Sequence, residues 1–162
     1  IKGLIDQDDL SVQSILAELK NEDFDFERDY LTCAKKAFHF VQNQIKYVKP
    51  EIDLNYWLSP KELLQVKVGD DKDISIFLCT FLAAIGDQNA EVIVAEMDNG
   101  FTHAFLTTEF KETFYILDPV QKHDFDYFSG TKSSALEKYS FQGTKIVRFI
   151  YRFNKQKYEQ FI

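Results

Sequence analysis

Gly69-Asp70-Asp71-Lys72-Asp73-Ile74-Ser75-Ile76-Phe77-Leu78-Cys79-Thr80-Phe81-Leu82-Ala83-Ala84-Ile85-Gly86 is the stretch on which the fold turns. It reads as a helix that begins near Asp71, runs to Ile85 and stops at Gly86. A carboxylate at such a start is favoured on stability grounds alone, because the helix N-terminus carries partial positive charge. After Gly86 the period changes. Val92, Ile93 and Val94 make a mostly buried strand that ends at Asp98-Asn99-Gly100, where Asn-Gly is a strong hairpin signal. Residues 102–109 and 113–118 read as two further strands, and Lys145 to Phe153 as a fourth.

Upstream, the pattern is helical. Val12, Ile15, Leu16 and Leu19 give a short helix ending near Asn21, and Leu31, Ala34, Phe38, Val41 and Ile45 give a stronger one from Glu27 to Tyr47, with Pro50 barring continuation. Ser59-Pro60-Lys61-Glu62 starts a third, with Ser59 as cap, Pro60 in the first turn and Glu62 reaching back to the Ser59 amide. Helices first and antiparallel strands afterwards predict one α+β domain over residues 1–162, with the Asp71 helix packed on the sheet.

Composition limits what the chain can do. Its 162 residues suffice for a real core, hydrophobic residues make up 45%, and 16 Phe with 8 Tyr assign aromatic rings much of the filling. A net charge of −7 argues against generic binding to nucleic acid or anionic lipid. No apolar run reaches the length of a membrane span. The chain opens on Ile1 rather than Met, which reads as a fragment or processed product, and the compartment stays open with a lean to the cytoplasm. Residues 1–30 hold nine acids and three bases, whereas Lys145, Arg148, Arg152, Lys155 and Lys157 near the end face only Glu159. Solvated faces that pair with one another are the expected outcome. Cys33 and Cys79 lie in apolar helical patterns, with neither disulfide nor zinc spacing.

Within this frame three polar residues stand out. If residues 102–109 and 113–118 form a hairpin turning at Phe110-Lys111, Glu109 faces Glu112 and, counting back, His103 faces Asp118. Directly opposed residues have Cβ atoms roughly 4.5–5.5 Å apart, close enough for Asp118 to accept a hydrogen bond from the imidazole. A one-residue slip would separate them.

Gly69-Asp70-Asp71-Lys72-Asp73, His103-Ala104 and Asp118-Pro119, in this order, resemble the site of the transglutaminase-like superfamily, whose pattern reads Gly-Asp-Cys-x-Asp, then His-Ala on one strand, then Asp-Pro closing the next. The resemblance covers about residues 30–120. It implies a papain-like core and a Cys-His-Asp triad, with the nucleophile position held by Asp71, the base by His103 and its orienting carboxylate by Asp118. A cysteine at a helix start beside an imidazole has a lowered pKa, and the imidazole serves as base and then acid. Asp71 offers none of that nucleophilicity. Gly69 and Asp70 belong to the same motif as candidate substrate-binding positions. Gln65, six residues before Asp71, resembles the oxyanion-hole glutamine of papain-like cysteine proteases, and reads equally as an exposed residue ending the third helix. Tyr56-Trp57 falls where the resemblance expects a cleft wall, and Trp57 reads equally as a core anchor. Cys79 is eight residues further into the helix, about 12 Å along its axis, too far to substitute. His39 and His123 read as structural or exposed.

The resemblance and its departure imply a catalytically silent module whose cleft binds a peptide or protein, with no cofactor. The alternative is a thiol peptidase, amidase or acyl-transferase altered at position 71. A minor third reading makes Asp71, His103 and Asp118 ligands of a divalent metal; the oxygen-rich loop that calcium would need is not identifiable.

Overall fold

The computed structural model describes residues 2–49 and 56–162. In chain order its elements are α1 (Leu10–Leu19), α2 (Phe26–Gln44), β1 (Lys46–Tyr47), α3 (Pro60–Val66), β2 (Val68–Gly69), α4 (Asp71–Ala84), β3 (Glu91–Met97), β4 (Thr102–Phe110), β5 (Thr113–Leu117), β6 (Phe128–Gly130), α5 (Lys132–Lys138), β7 (Ile146–Phe153) and β8 (Tyr158–Gln160). The architecture is α+β. Among the described residues, a six-stranded antiparallel sheet runs β6-β5-β4-β3-β7-β8, with α4 packed against β4 and β3 and α2 packed against α4.

Local chemistry starts the helices where the sequence reading expects. Ser59 and Glu62 form a reciprocal capping box with Pro60 in the first turn of α3. Asp70 and Asp73 form a second one at α4. Every residue from Asp71 to Leu82 is buried, so α4 is a central helix covered on all sides rather than an amphipathic surface helix. Gly86 ends this segment in the left-handed region at φ 104°, which a Cβ would strain.

Alternation along the strands divides the core between the two sheet faces. Val92, Leu106 and Leu117 join the helices in the larger cluster. Ile93, Ala95, Phe105 and Ile116 join Phe128, Ala135 and Tyr139 on the other face, beneath α5.

Three details differ from the sequence reading. Helix α2 stops at Gln44, not Tyr47, because Lys46–Tyr47 is drawn into a short parallel pairing with Val68–Gly69; Pro50 lies outside the described residues. The β4–β5 hairpin turns at Lys111-Glu112, one residue later than expected, so Phe110 faces Thr113 and Glu109 faces Phe114 rather than Glu112. Both loop residues have positive φ, 47° and 64°, the two-residue turn whose twist matches the strands. The later turn also keeps Phe110 in the ladder, where its ring packs on Phe26 and Tyr30. Beyond residue 120, β6, α5 and β8 were not read from the sequence.

Candidate functional site

Asp70 caps α4, its side chain accepting from the Asp73 N–H at 2.9 Å, and this fixes Asp71 as the first helical residue. The close approach of Leu63 and Asp73 to Gly69 leaves no room there for a Cβ, which would sit 2.7 Å from Leu63 Cδ1. Gly69 and Asp70 therefore set the position of Asp71. From it, Asp71 reaches β4: its Oδ2 accepts the Ala104 N–H at 2.7 Å and lies 2.8 Å from His103 Nδ1, while Oδ1 accepts the Lys72 N–H at 3.1 Å.

The other imidazole nitrogen, Nε2, lies 2.9 Å from Asp118 Oδ2. The shifted turn moves Asp118 from opposite His103 to a diagonal place just past β5. A shift by two in paired positions leaves each side chain on its face, so contact survives where a shift by one would have lost it. Asp118 Oδ2 also accepts from the Tyr139 hydroxyl at 2.8 Å and Gln121 Nε2 at 2.7 Å. Phe141 lies flat on the imidazole, centroids 3.6 Å apart and planes within 8°. A tight turn aims it there: Gln142 and Gly143 both have positive φ, and Phe141 pairs with Thr144 across them.

Asp71, His103 and Asp118 thus form a line of carboxylate, imidazole and carboxylate, each less than a tenth exposed. Asp71 Oδ2 also accepts a backbone N–H, and Asp118 Oδ2 a phenol and an amide, an arrangement compatible with both carboxylates accepting and both ring nitrogens donating. Asp118 Oδ1 is buried without a partner among the described residues. Burial works against the imidazolium, but Asp118 and Asp71 outweigh it and push the His103 pKa up to about 9. Burial alone would raise the Asp71 carboxyl; the hydrogen bond and charge of His103 and the Ala104 N–H hold it below the ordinary value. Its neighbours lack that cation. Burial raises Asp70, and burial together with Asp70 and Asp71 pushes Asp73 up to about 6.

Asp71 and His103 open onto a cleft of about 330 Å³, whose walls include Tyr47, Lys49, Phe101 and Phe141. Tyr47 is pushed up to about 12 by burial and by the negative charge of Asp71 and Asp118. The remaining candidates lie apart from this cleft. Trp57 stacks on Phe153 at 5.7 Å and packs on the core. Tyr56 is exposed and bonds Glu62, and Gln65 is exposed in the last turn of α3. Both thiols are buried: burial raises Cys33, and Cys79 is pushed well up by burial and by Asp87 and Glu91. His39 bonds Gln42 and His123 stacks on Tyr127, both away from the cleft. Among the described residues no group of three or more His, Cys, Asp and Glu is placed to hold a metal ion.

Sequence reasoning missed Tyr139, Gln121, Phe141 and Tyr47. Gln121 had a signal, standing three residues after Asp118 in a turn closed by its own N–H on the Asp118 carbonyl at 3.1 Å. The aromatic pair after α5 had none, since nothing local in the sequence tells which rings return to the site.

No family model and no curated protein matches the chain. Solved structures do. One of LapG from Legionella pneumophila aligns with a TM-score of 0.65 at 20% identity, over 93% of this chain and 76% of that one. The calcium-bound form of LapG aligns with a TM-score of 0.59 at 18% identity, over 93% and 86%, and an EGTA-treated form with 0.62 at 19%, over 94% and 75%. The chain therefore shares the α+β, transglutaminase-like fold of LapG.

Proposed function

We propose that this chain is a catalytically silent transglutaminase-like domain in which Asp71 stands at the nucleophile's position and the cleft binds a peptide or protein segment. One observation carries the reading: His103 hydrogen-bonds a carboxylate through each ring nitrogen. Thiol catalysis needs an imidazole with one nitrogen free to accept the nucleophile's proton. Here that nitrogen donates to Asp71, and a pKa of about 9 keeps the ring protonated at neutral pH. Asp71 cannot substitute for a thiolate. Its charge is spread over bonds to His103, the Ala104 N–H and the Lys72 N–H. Attack on an amide would moreover form an anhydride of higher energy than the bond broken. The imidazolium and its two carboxylates hold the start of α4 to β4, and the aromatic-walled cleft above them remains for binding.

Two measurements test this. The parent protein should release no amine from peptide amides and transfer no acyl group to added amines; turnover that disappears in His103→Ala would end the reading. Asp71→Cys should place a thiol at a helix N-terminus beside an oriented ring, lowering its pKa below the free value of about 8.5. Iodoacetamide should then label that variant below pH 7 faster than an exposed cysteine, and adding His103→Ala should slow it again. A pH profile like that of an exposed thiol would mean that position 71 is not a nucleophile's place.

A further inference from the structure

The cleft above Asp71 does not end at its own walls. Tyr47 lines it on one side and also lines a second depression of about 480 Å³, formed where α2 ends, β1 begins and the Pro119–Lys122 segment passes. Among the described residues, the charged side chains of the second depression are Lys46, Lys67 and Lys122, with no carboxylate beside them. In the first, the exposed Lys49 stands on the wall, and Asp71, the one acid among the described lining residues, is committed to His103. A run of lysines therefore follows the surface from the cleft across Tyr47, on a protein whose net charge is −7.

Elsewhere on the surface many bases are paired: Arg148 with Glu96, Arg152 with Glu91 and Glu159, Lys155 with Asp8, Lys157 with Glu91, Lys35 with Asp126 and Lys111 with Glu27. Lys138 and Lys145 instead bond backbone carbonyls, and Lys132 lies over the Phe114 ring. Among the described residues none of Lys46, Lys49, Lys67 and Lys122 has a carboxylate partner, and all four are exposed. Lys122 Nζ bonds the Gln42 carbonyl at 3.3 Å, and Lys49 Nζ lies 4.5 Å from the centroid of the exposed Phe101 ring. What sets the track apart is that Lys46, Lys67 and Lys122 line one depression with no described acid among them, and a depression of one sign steers an oppositely charged partner to that face.

We infer that the partner of the cleft is an acidic polypeptide segment, with an apolar side chain seated against Phe101 and Phe141 and Asp or Glu residues running past Tyr47 along Lys46, Lys49, Lys67 and Lys122. This rests on the peptide-binding reading above and adds the chemistry of the peptide. A polypeptide suits the surface better than a nucleic acid. A polynucleotide brings a charge at every phosphate and would continue into the acidic remainder of the molecule, whereas a peptide can place its acids where the lysines are.

Fluorescence anisotropy with a labelled Glu-rich peptide carrying a central Phe, and with its Gln counterpart, tests the inference. The Glu peptide should bind more tightly, and added salt should weaken it. Combining Lys46→Glu, Lys49→Glu and Lys122→Glu should weaken it roughly tenfold, since each exposed pair contributes a fraction of a kcal/mol. Lys132→Glu, a base outside the track, should leave it unchanged. Equal binding of both peptides, unaffected by the lysine changes but lost in Phe101→Ser, would overturn the charge inference while leaving a peptide-binding cleft. Absence of binding by either peptide would overturn the inference and leave catalytic silence to its own test. Competition by an oligothymidylate as effective as the Glu peptide would assign the track to nucleic acid instead.

Discussion

Helix α4 is tied to strand β4 at both ends by a buried aspartate, and the two ties are built differently. At the start, Asp71 holds the Ala104 N–H and the His103 ring. Just past the end, Asp87 accepts from the Thr108 hydroxyl at 2.7 Å and the Tyr30 hydroxyl, while its other oxygen takes the Asn89 and Ala90 N–H groups at 2.8 and 3.0 Å. Neutral donors suffice at Asp87, where one carboxylate is surrounded by four of them. The start of the helix brings a second carboxylate, Asp118, to the same ring, and two buried negative charges require a cation between them. A scaffold needing only mechanical attachment could use the first solution twice. The charged solution lies where the cleft is.

Removing the cation should give the largest effect. His103→Ala leaves Asp71 and Asp118 buried and facing each other across a cavity, a loss of about 3–5 kcal/mol by the precedent of broken buried pairs. Chemical denaturation at pH 7 reads it directly. A loss no larger than that from Tyr30→Phe would break the comparison, since the two ties would then be energetically alike.

The same contrast appears along the pH axis. The folded-state pKa of His103 is raised to about 9 from an ordinary 6.5, so its stabilisation is complete below about pH 6.5 and is lost as pH rises toward 9. Stability should decline across that window by a few kcal/mol, and His103→Ala should flatten it. Tyr30 is raised too, by burial and then by Asp87, but from an ordinary value of 10, so its contribution to the decline begins only above pH 10. Separate windows would sharpen the comparison. A decline between pH 6.5 and 9 that persists in His103→Ala would assign it to another group.

The charged tie was legible in the sequence and the neutral one was not. Asp71, His103 and Asp118 each sit beside a residue that marks a boundary, a helix start, a strand and a Pro. Their spacing could therefore be tested against a hairpin. The turn was misplaced by one residue because Phe110 reads as well in a loop as in a ladder; only the rings of Phe26 and Tyr30, far away in sequence, decide it. Asp87 follows Gly86 in what reads as an ordinary loop. Its partners Tyr30 and Thr108 lie in elements recognised for their apolar stripes, where a buried hydroxyl leaves no periodic mark. Tyr139 and Phe141 were illegible for a similar reason: they reach the site from a segment in which α5 is only seven residues long.

The smallest effect belongs to the neutral tie. Tyr30→Phe removes one donor from Asp87 Oδ2 and keeps the ring that packs on Phe26 and Phe110. Three donors remain to Asp87, Thr108 on the same oxygen and two N–H groups on the other, so the carboxylate is not orphaned. A hydrogen bond to a charged group contributes about 1.5–3 kcal/mol, and the surviving donors should hold the loss near the lower end. The cleft lies at the opposite end of α4, so peptide binding and the decline between pH 6.5 and 9 should both match the parent, while the slope above pH 10 should lessen. If Tyr30→Phe instead altered the His103 window, the two ends of α4 would be coupled through the helix. Asp87 would then be part of the site's electrostatics and not merely its far anchor.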